Sequence, residues 1–93
     1  MKTIYKYELP INDEVTLDMP SGAEILCVQE QHQQVMLWAV VNHDNPVAEK
    51  RFYMRGTGHP MYEAENANYI GSVQLSGGAL VFHVFEQKEK ADE

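Results

Sequence analysis

The 93-residue sequence predicts a small all-β or β-rich domain, an antiparallel sandwich, roll or barrel of about six to seven strands. Short runs of β-branched and aromatic residues recur about every 8–12 residues, and glycine, proline and asparagine separate them. Within most of these runs apolar and polar residues alternate, which is the period of a strand with one buried face. No stretch has the period of a long helix.

The predicted strands begin with residues 3–9, which place Tyr5, Tyr7 and Leu9 on one face and end at Pro10. The remaining strand segments are 15–19, 24–29, 35–41, 49–55, 69–75 and 79–86. Two antiparallel hairpins are expected, one that joins the third and fourth segments and one that joins the last two around a Ser-Gly-Gly turn.

Burial is also predicted by the pattern of apolar residues. Segments 24–29 and 35–41 are almost continuously apolar, which favours a sheet centre covered on both faces. Cys27 lies in the first of them and is expected to be a reduced, buried thiol. Residues 56–68 lack sustained periodicity and predict a long loop, or a loop with one helical turn, and such loops often have a function. The expected organisation is one domain over residues 1–86 and a charged, frayed tail over 87–93.

Composition excludes several classes of partner. The net charge of −7 repels phosphate backbones, so generic binding to nucleic acid is not expected. The longest apolar run, residues 35–41, is far shorter than a membrane-spanning helix, and the N-terminal residues do not have the pattern of a signal peptide. We therefore expect a cytosolic protein without a membrane partner.

One cluster of residues has the chemistry of a ligand site. Two arginines and a tyrosine alternate along one face of segment 49–55, and the sequence GTGHP follows directly. Guanidinium groups bind phosphate, an aromatic ring stacks on a base, and glycine-rich backbone can offer successive N–H groups to an anion. The candidate ligand-binding residues are Arg51, Tyr53, Arg55, Gly56, Thr57, Gly58, His59 and Tyr69. Alternatively, the arginines pair with neighbouring carboxylates and GTGHP is a turn.

No catalytic residue, metal site or cofactor is predicted. The serines lack the context of a nucleophile elbow, and Cys27 lacks cationic neighbours in the sequence. The histidines have neither a HxxxH nor a CxxC-type spacing. His83 is expected to be a hydrogen-bonded core residue, with a general base or a metal ligand as the other interpretations.

Several stretches together resemble a known family. They are YKYELP at 5–10, Trp38, RFYMRGTGHP at 51–60 and YIGSVQLSGGALVFHVFE at 69–86. The chain is similar to small uncharacterised proteins of bacteriophages and prophages that are classed as a domain of unknown function. GTGHP and the closing YIG…GG.LVFHVFE are the most specific motifs. The resemblance implies a compact protein that acts in the host cytosol during infection, and it implies no catalytic residue.

These observations favour a non-enzymatic phage-type binding protein that sequesters a small anionic, nucleotide-like ligand, in counter-defence by analogy with other small phage proteins. One alternative is an acidic inhibitor or adaptor of a host enzyme. It would have a contiguous carboxylate face of Glu8, Asp13, Glu14, Asp18 and Glu24. Another alternative is a minor virion or assembly component. A homo-oligomer is expected as well, since hairpins leave sheet edges to be covered.

Overall fold

Seven antiparallel strands make up the computed structural model, which describes residues 1–89. The strands are β1 (Lys2–Leu9), β2 (Glu14–Pro20), β3 (Glu24–Gln31), β4 (Gln34–Asn42), β5 (Val47–Gly56), β6 (Asn68–Leu75) and β7 (Leu80–Glu86). Two short 3-10 helices, Tyr62–Asn66 and Ser76–Gly78, precede and follow β6. The all-β prediction is therefore confirmed, and each predicted segment corresponds to one strand.

The strands form two separate sheets. The three-stranded sheet has the order β1-β4-β3, and the four-stranded sheet has the order β2-β5-β7-β6. Both predicted hairpins are present, β3 with β4 and β6 with β7. On one side of the sandwich the two sheets meet, and β3 packs against β6. On the other side β2 packs against β4, the central strand, and has fewer contacts with the edge strand β1. The arrangement is thus an open sandwich and not a closed barrel.

The hydrophobic core lies between the two sheets. In the three-stranded sheet the inner face of β4 is at most 1% exposed at Val35, Leu37, Ala39 and Val41. Phe52 and Met54 of β5, Val84 of β7 and Val73 of β6 face them from the four-stranded sheet. The apolar residues that alternate along each strand therefore form its inner face, because side chains of neighbouring residues point to opposite sides of a strand.

Two expectations about burial are wrong. β4 is the centre of its sheet, but β3 is an edge strand. Cys27 is half-buried on the outer face beside Trp38 and does not belong to the core. A bulge between Ile25 and Cys27 is the reason, since the extra residue, Leu26, reverses the face that each later side chain takes.

The predicted loop over 56–68 is partly structured. β5 continues to Gly56, and β6 starts at Asn68. Between them the 3-10 helix Tyr62–Asn66 is the helical turn that the sequence predicts as the alternative to a loop. The predicted tail, 87–93, extends beyond the described residues, but Gln87 still donates a backbone hydrogen bond of 2.9 Å to Arg51. Among residues 1–89 there is no helix of the length and apolarity that crossing a bilayer requires.

Candidate functional site

Arg55 lies at the centre of the predicted ligand cluster, but its guanidinium is directed into the protein. The residue is 6% exposed. Nη1 donates to the carbonyl oxygens of Asp13 at 2.7 Å and Met54 at 3.1 Å, and Nε donates to the carbonyl oxygen of Met61 at 3.1 Å. Nη2 lies 3.6 Å from Glu63 Oε1. These contacts tie three segments of the chain to one side chain.

Tyr53 is equally enclosed, although it points to the outer face of β5. It is 4% exposed, and the guanidinium of Arg55 lies 5.5 Å from the centroid of its ring. The segment that contains the helix Tyr62–Asn66 covers this part of the sheet, and its Ala64 is fully buried. The alternation in the sequence places Tyr53 and Arg55 on one face as predicted, and the segment after β5 folds back over that face.

Two backbone amides of the glycine turn already donate hydrogen bonds to carbonyl oxygens. Thr57 N donates to Val81 O at 3.4 Å, and His59 N donates to Gly56 O at 3.0 Å. The imidazole of His59 lies against Gly56, where a Cβ would stand 2.8 Å from its Cε1 atom. Gly58 has a φ of 88°, a conformation that favours glycine. The amide of His59 is therefore engaged inside the turn, and the amide of Thr57 is engaged by β7.

A chain of four polar side chains crosses the exposed outer face of β5, β7 and β6. Tyr69 Oη lies 2.7 Å from Ser72 Oγ, and Ser72 Oγ lies 2.7 Å from Nδ1 of His83. Nε2 of the same imidazole lies 2.8 Å from Thr57 Oγ1. We refer to these four residues as the hydroxyl–imidazole chain. It brings together two of the predicted ligand residues, Thr57 and Tyr69.

The hydroxyl–imidazole chain fastens the turn after β5 to the β6–β7 hairpin. Both ring nitrogens of His83 have a hydroxyl partner, and a neutral imidazole satisfies them with one donor and one acceptor. Tyr69 is 60% exposed and packs on Phe85 with ring centroids 5.6 Å apart. His83 is hydrogen-bonded as expected, but it is half-buried on the outer face and not in the core.

Sequence reasoning missed Ser72 as a partner of His83. The connection between β6 and β7 has four residues, 76–79, and this register pairs Leu75 with Leu80 and Ser72 with His83. Residues directly opposite each other in an antiparallel pair share a face and lie within contact distance. The three-residue Ser-Gly-Gly turn expected from the sequence would instead place Ser72 opposite Phe82, so the partner could be identified only once the length of the connection was known.

Arg51 is exposed and paired with a carboxylate. Its Nε lies 3.3 Å from Glu14 Oε2, and the two side chains are 43% and 46% exposed. The alternative interpretation, in which arginines pair with neighbouring acidic residues, thus describes both Arg51 and Arg55 in the structure. Both guanidinium groups therefore have an ionic partner.

An acidic face occupies the same side of the four-stranded sheet. We define it as the exposed outer surface that carries Glu14, Asp18, Glu49 and Glu63. Asp18 and Glu49 are direct cross-strand partners on β2 and β5. Within residues 1–89 neither of these two carboxylates takes part in an ion pair. The two arginines of this surface neutralise only Glu14 and Glu63.

The carboxylate face predicted from the sequence is not formed as one surface. Glu14 and Asp18 lie on β2, but Glu8 and Glu24 are on the outer face of the three-stranded sheet. Asp13 lies in the connection between β1 and β2. The reason is topological, because β2 joins a different sheet from β1 and β3.

Within the described residues no three His, Cys, Asp or Glu side chains are grouped to hold a metal ion. A family model described as "Domain of unknown function (DUF7352)" matches residues 1–93. No curated protein and no solved structure matches the chain.

Proposed function

We propose that this chain, which belongs to the DUF7352 family of domains of unknown function, is a non-enzymatic protein-binding module. Its acidic face docks on a basic surface of another protein, so that it acts as an inhibitor or an adaptor. Of the functions considered from the sequence, this one agrees best with the placement of the charged side chains.

The observation that carries the proposal is the pairing of Asp18 with Glu49 across β2 and β5. Like charges directly opposite each other destabilise an antiparallel pair. Natural sequences keep such local conflicts mainly at functional surfaces, where the cost is offset by another interaction. A cationic side chain from a partner would relieve the repulsion, and desolvation at the interface would strengthen the contact.

The surroundings of the pair support a protein partner. Glu14, which is opposite Tyr53, and Glu63, which is beside Arg55, extend the acidic face towards the end of β5. The exposed ring of Tyr69 lies on the same sheet face. Tyrosine is enriched at the centres of protein interfaces because it offers a large apolar surface with one polar atom. An acidic surface also accelerates association with a basic partner.

The small-anion hypothesis is supported less well by the geometry. Three of its donors, the Arg55 guanidinium and the amides of Thr57 and His59, already bond to backbone carbonyl groups. Asp13, Glu14 and Glu63 line the same pocket as His59 and outnumber its one arginine, so they would repel an anion there. The hypothesis stays a prediction. Native mass spectrometry with a cell extract tests it, and an added mass of a few hundred daltons that Arg51→Ala removes would support it.

The resemblance to phage and prophage proteins extends the proposal to infection. In that setting the partner is a basic host enzyme in the cytosol, and the docking has a counter-defence role. A role as a minor virion component is the competing proposal, and it requires that the protein co-purifies with particles.

Site-specific photo-crosslinking in cells tests which face binds. A photoreactive amino acid replaces Thr16, which stands between Glu14 and Asp18 on the outer face of β2. The control position is Gln29, which is exposed on the outer face of the other sheet. We expect one protein partner to crosslink from Thr16 and not from Gln29. Equal crosslinking from both positions, or crosslinking from Gln29 alone, would contradict the proposal.

A further inference from the structure

β1 is a long edge strand of the sandwich. Within the described part of the chain, residues 1–89, it pairs only with β4, and the pairing runs without a bulge from Lys2 opposite Asn42 to Leu9 opposite Val35. The strand contains neither proline nor glycine. Long regular edges of this kind present unpaired N–H and C=O groups that can pair with another strand.

β1 also overhangs the opposite sheet. Tyr5 and Tyr7 lie on the inner face, directly opposite Ala39 and Leu37, which are both fully buried. Nevertheless Tyr5 is 41% exposed, because β2 lies under β4 and leaves β1 uncovered. The two tyrosine rings contact each other, with centroids 6.5 Å apart. Burial, with a smaller contribution from Tyr5, raises the pKa of Tyr7.

The charges on the outer face of β1 restrict how a second copy could pair with it. When two identical strands pair antiparallel about a two-fold axis, the axis passes through one residue, and residues equally far before and after it stand opposite each other. Residues of the inner face must then stand opposite residues of the inner face. A centre at Ile4 places Lys2 opposite Lys6, and a centre at Lys6 places that lysine opposite its own copy. Two other centres place opposite charges together. A centre at Tyr7 places Lys6 opposite Glu8 but joins only residues 5–9, whereas a centre at Tyr5 places Lys2 opposite Glu8 on both sides of the axis and joins residues 2–8.

We propose that two copies of this chain associate through β1, antiparallel and centred on Tyr5, to form one continuous six-stranded sheet. The two-fold axis places Tyr5 opposite Tyr5 of the second copy and Tyr7 opposite Thr3, so the overhanging aromatic rings cover each other. Lys2 and Glu8 form two equivalent ion pairs across the axis. The seven residues from 2 to 8 of each strand add about six to eight backbone hydrogen bonds. This self-association is independent of the acidic face, which remains on the other sheet.

Charge reversal tests the register. Analytical ultracentrifugation of the full chain is expected to show a dimer at about 100 µM, which a weak interface of moderate size supports. Lys2→Glu places two carboxylates opposite each other at both ion pairs, and Glu8→Lys places two ammonium groups there. Each single variant is expected to raise the dimer dissociation constant about ten-fold or more.

Mixing the two variants provides the decisive comparison. In the heterodimer of Lys2→Glu with Glu8→Lys both cross-axis pairs are again of opposite charge, so the mixture is expected to dimerise like the wild type. Both side chains are exposed in the monomer, and unchanged thermal unfolding of dilute variants would verify that they fold. A wild-type monomer at about 100 µM, single variants that dimerise normally, or a mixture that stays monomeric would each overturn the proposal.

Discussion

Replacement of Arg55 by alanine is expected to lower the free energy of unfolding by about 3 kcal/mol or more, which corresponds to a fall of about 15 °C in melting temperature for a domain of this size. The substitution removes three charge-assisted hydrogen bonds to the carbonyl oxygens of Asp13, Met54 and Met61. It also uncovers the ring of Tyr53 and releases Glu63. Thermal unfolding followed by circular dichroism measures the effect.

Arg51 provides a matched control on the same strand and face. Its ion pair with Glu14 is exposed, so Arg51→Ala is expected to change the free energy of unfolding by less than about 1 kcal/mol. Arg55→Lys should recover only a small part of the loss, because an ammonium group cannot reach the acceptors that the guanidinium fork joins. Equal melting temperatures for Arg51→Ala and Arg55→Ala would show that Arg55 has no structural role.

The second large effect is expected at the ion pair of Lys50 and Glu86. Lys50 Nζ lies 2.7 Å from Glu86 Oε2, and the side chains are only 13% and 19% exposed. Glu86→Gln removes the nearer carboxylate from the ammonium group in a partly buried site and leaves the more exposed Glu89, whose Oε1 lies 3.4 Å from Nζ. We expect a loss of about 2 kcal/mol of unfolding free energy near neutral pH, measured by urea denaturation. Glu65→Gln, an exposed change of the same charge, is the control.

The contribution of this pair depends on pH. Burial lowers the pKa of Lys50, but the hydrogen bond and charge of Glu86, with a further contribution from Glu89, outweigh it and raise the pKa above its ordinary value of 10.5. A lysine whose pKa is raised by folding contributes stability below the unfolded pKa and loses it as the pH rises through the folded pKa. The difference between wild type and Glu86→Gln should therefore be constant from about pH 7 to about pH 9 and shrink above pH 10.5. A difference that grows with alkaline pH would contradict this assignment.

Strand positions and inner faces could be predicted from the sequence because alternation records which side of each strand is buried. Tyr5, Tyr7 and Leu9 share a face with the inner residues of β4, as the pattern of the first strand indicated. The position of Cys27 could not be predicted in this way. The bulge before it reverses which face each following side chain takes, and nothing in the apolar run Ile25 to Val28 indicates the extra residue.

The chemistry of the candidate site was predictable only in part. Alternation correctly placed Arg51, Tyr53 and Arg55 on one face, but it contains no information about what covers that face. The segment over 61–67 folds back onto Tyr53 and Arg55 and turns a surface pattern into a second, small buried cluster. The pairing of Asp18 with Glu49 depends on the register of β2 with β5, which are separated by two strands of the other sheet.

The most direct test of the acidic face compares two double variants by calorimetry with the partner that crosslinks from Thr16. The first variant combines Asp18→Asn with Glu49→Gln, and the second combines Glu24→Gln with Glu30→Gln on β3. Each variant removes two carboxylates from a chain of net charge −7, but from opposite sheets. We expect the first pair to weaken binding about ten-fold or more at low salt while the melting temperature rises slightly, because a repulsive cross-strand pair is removed. The second pair should leave the affinity within about two-fold. Equal losses of affinity in the two variants would show that only the total charge matters and that the acidic face is not the binding surface.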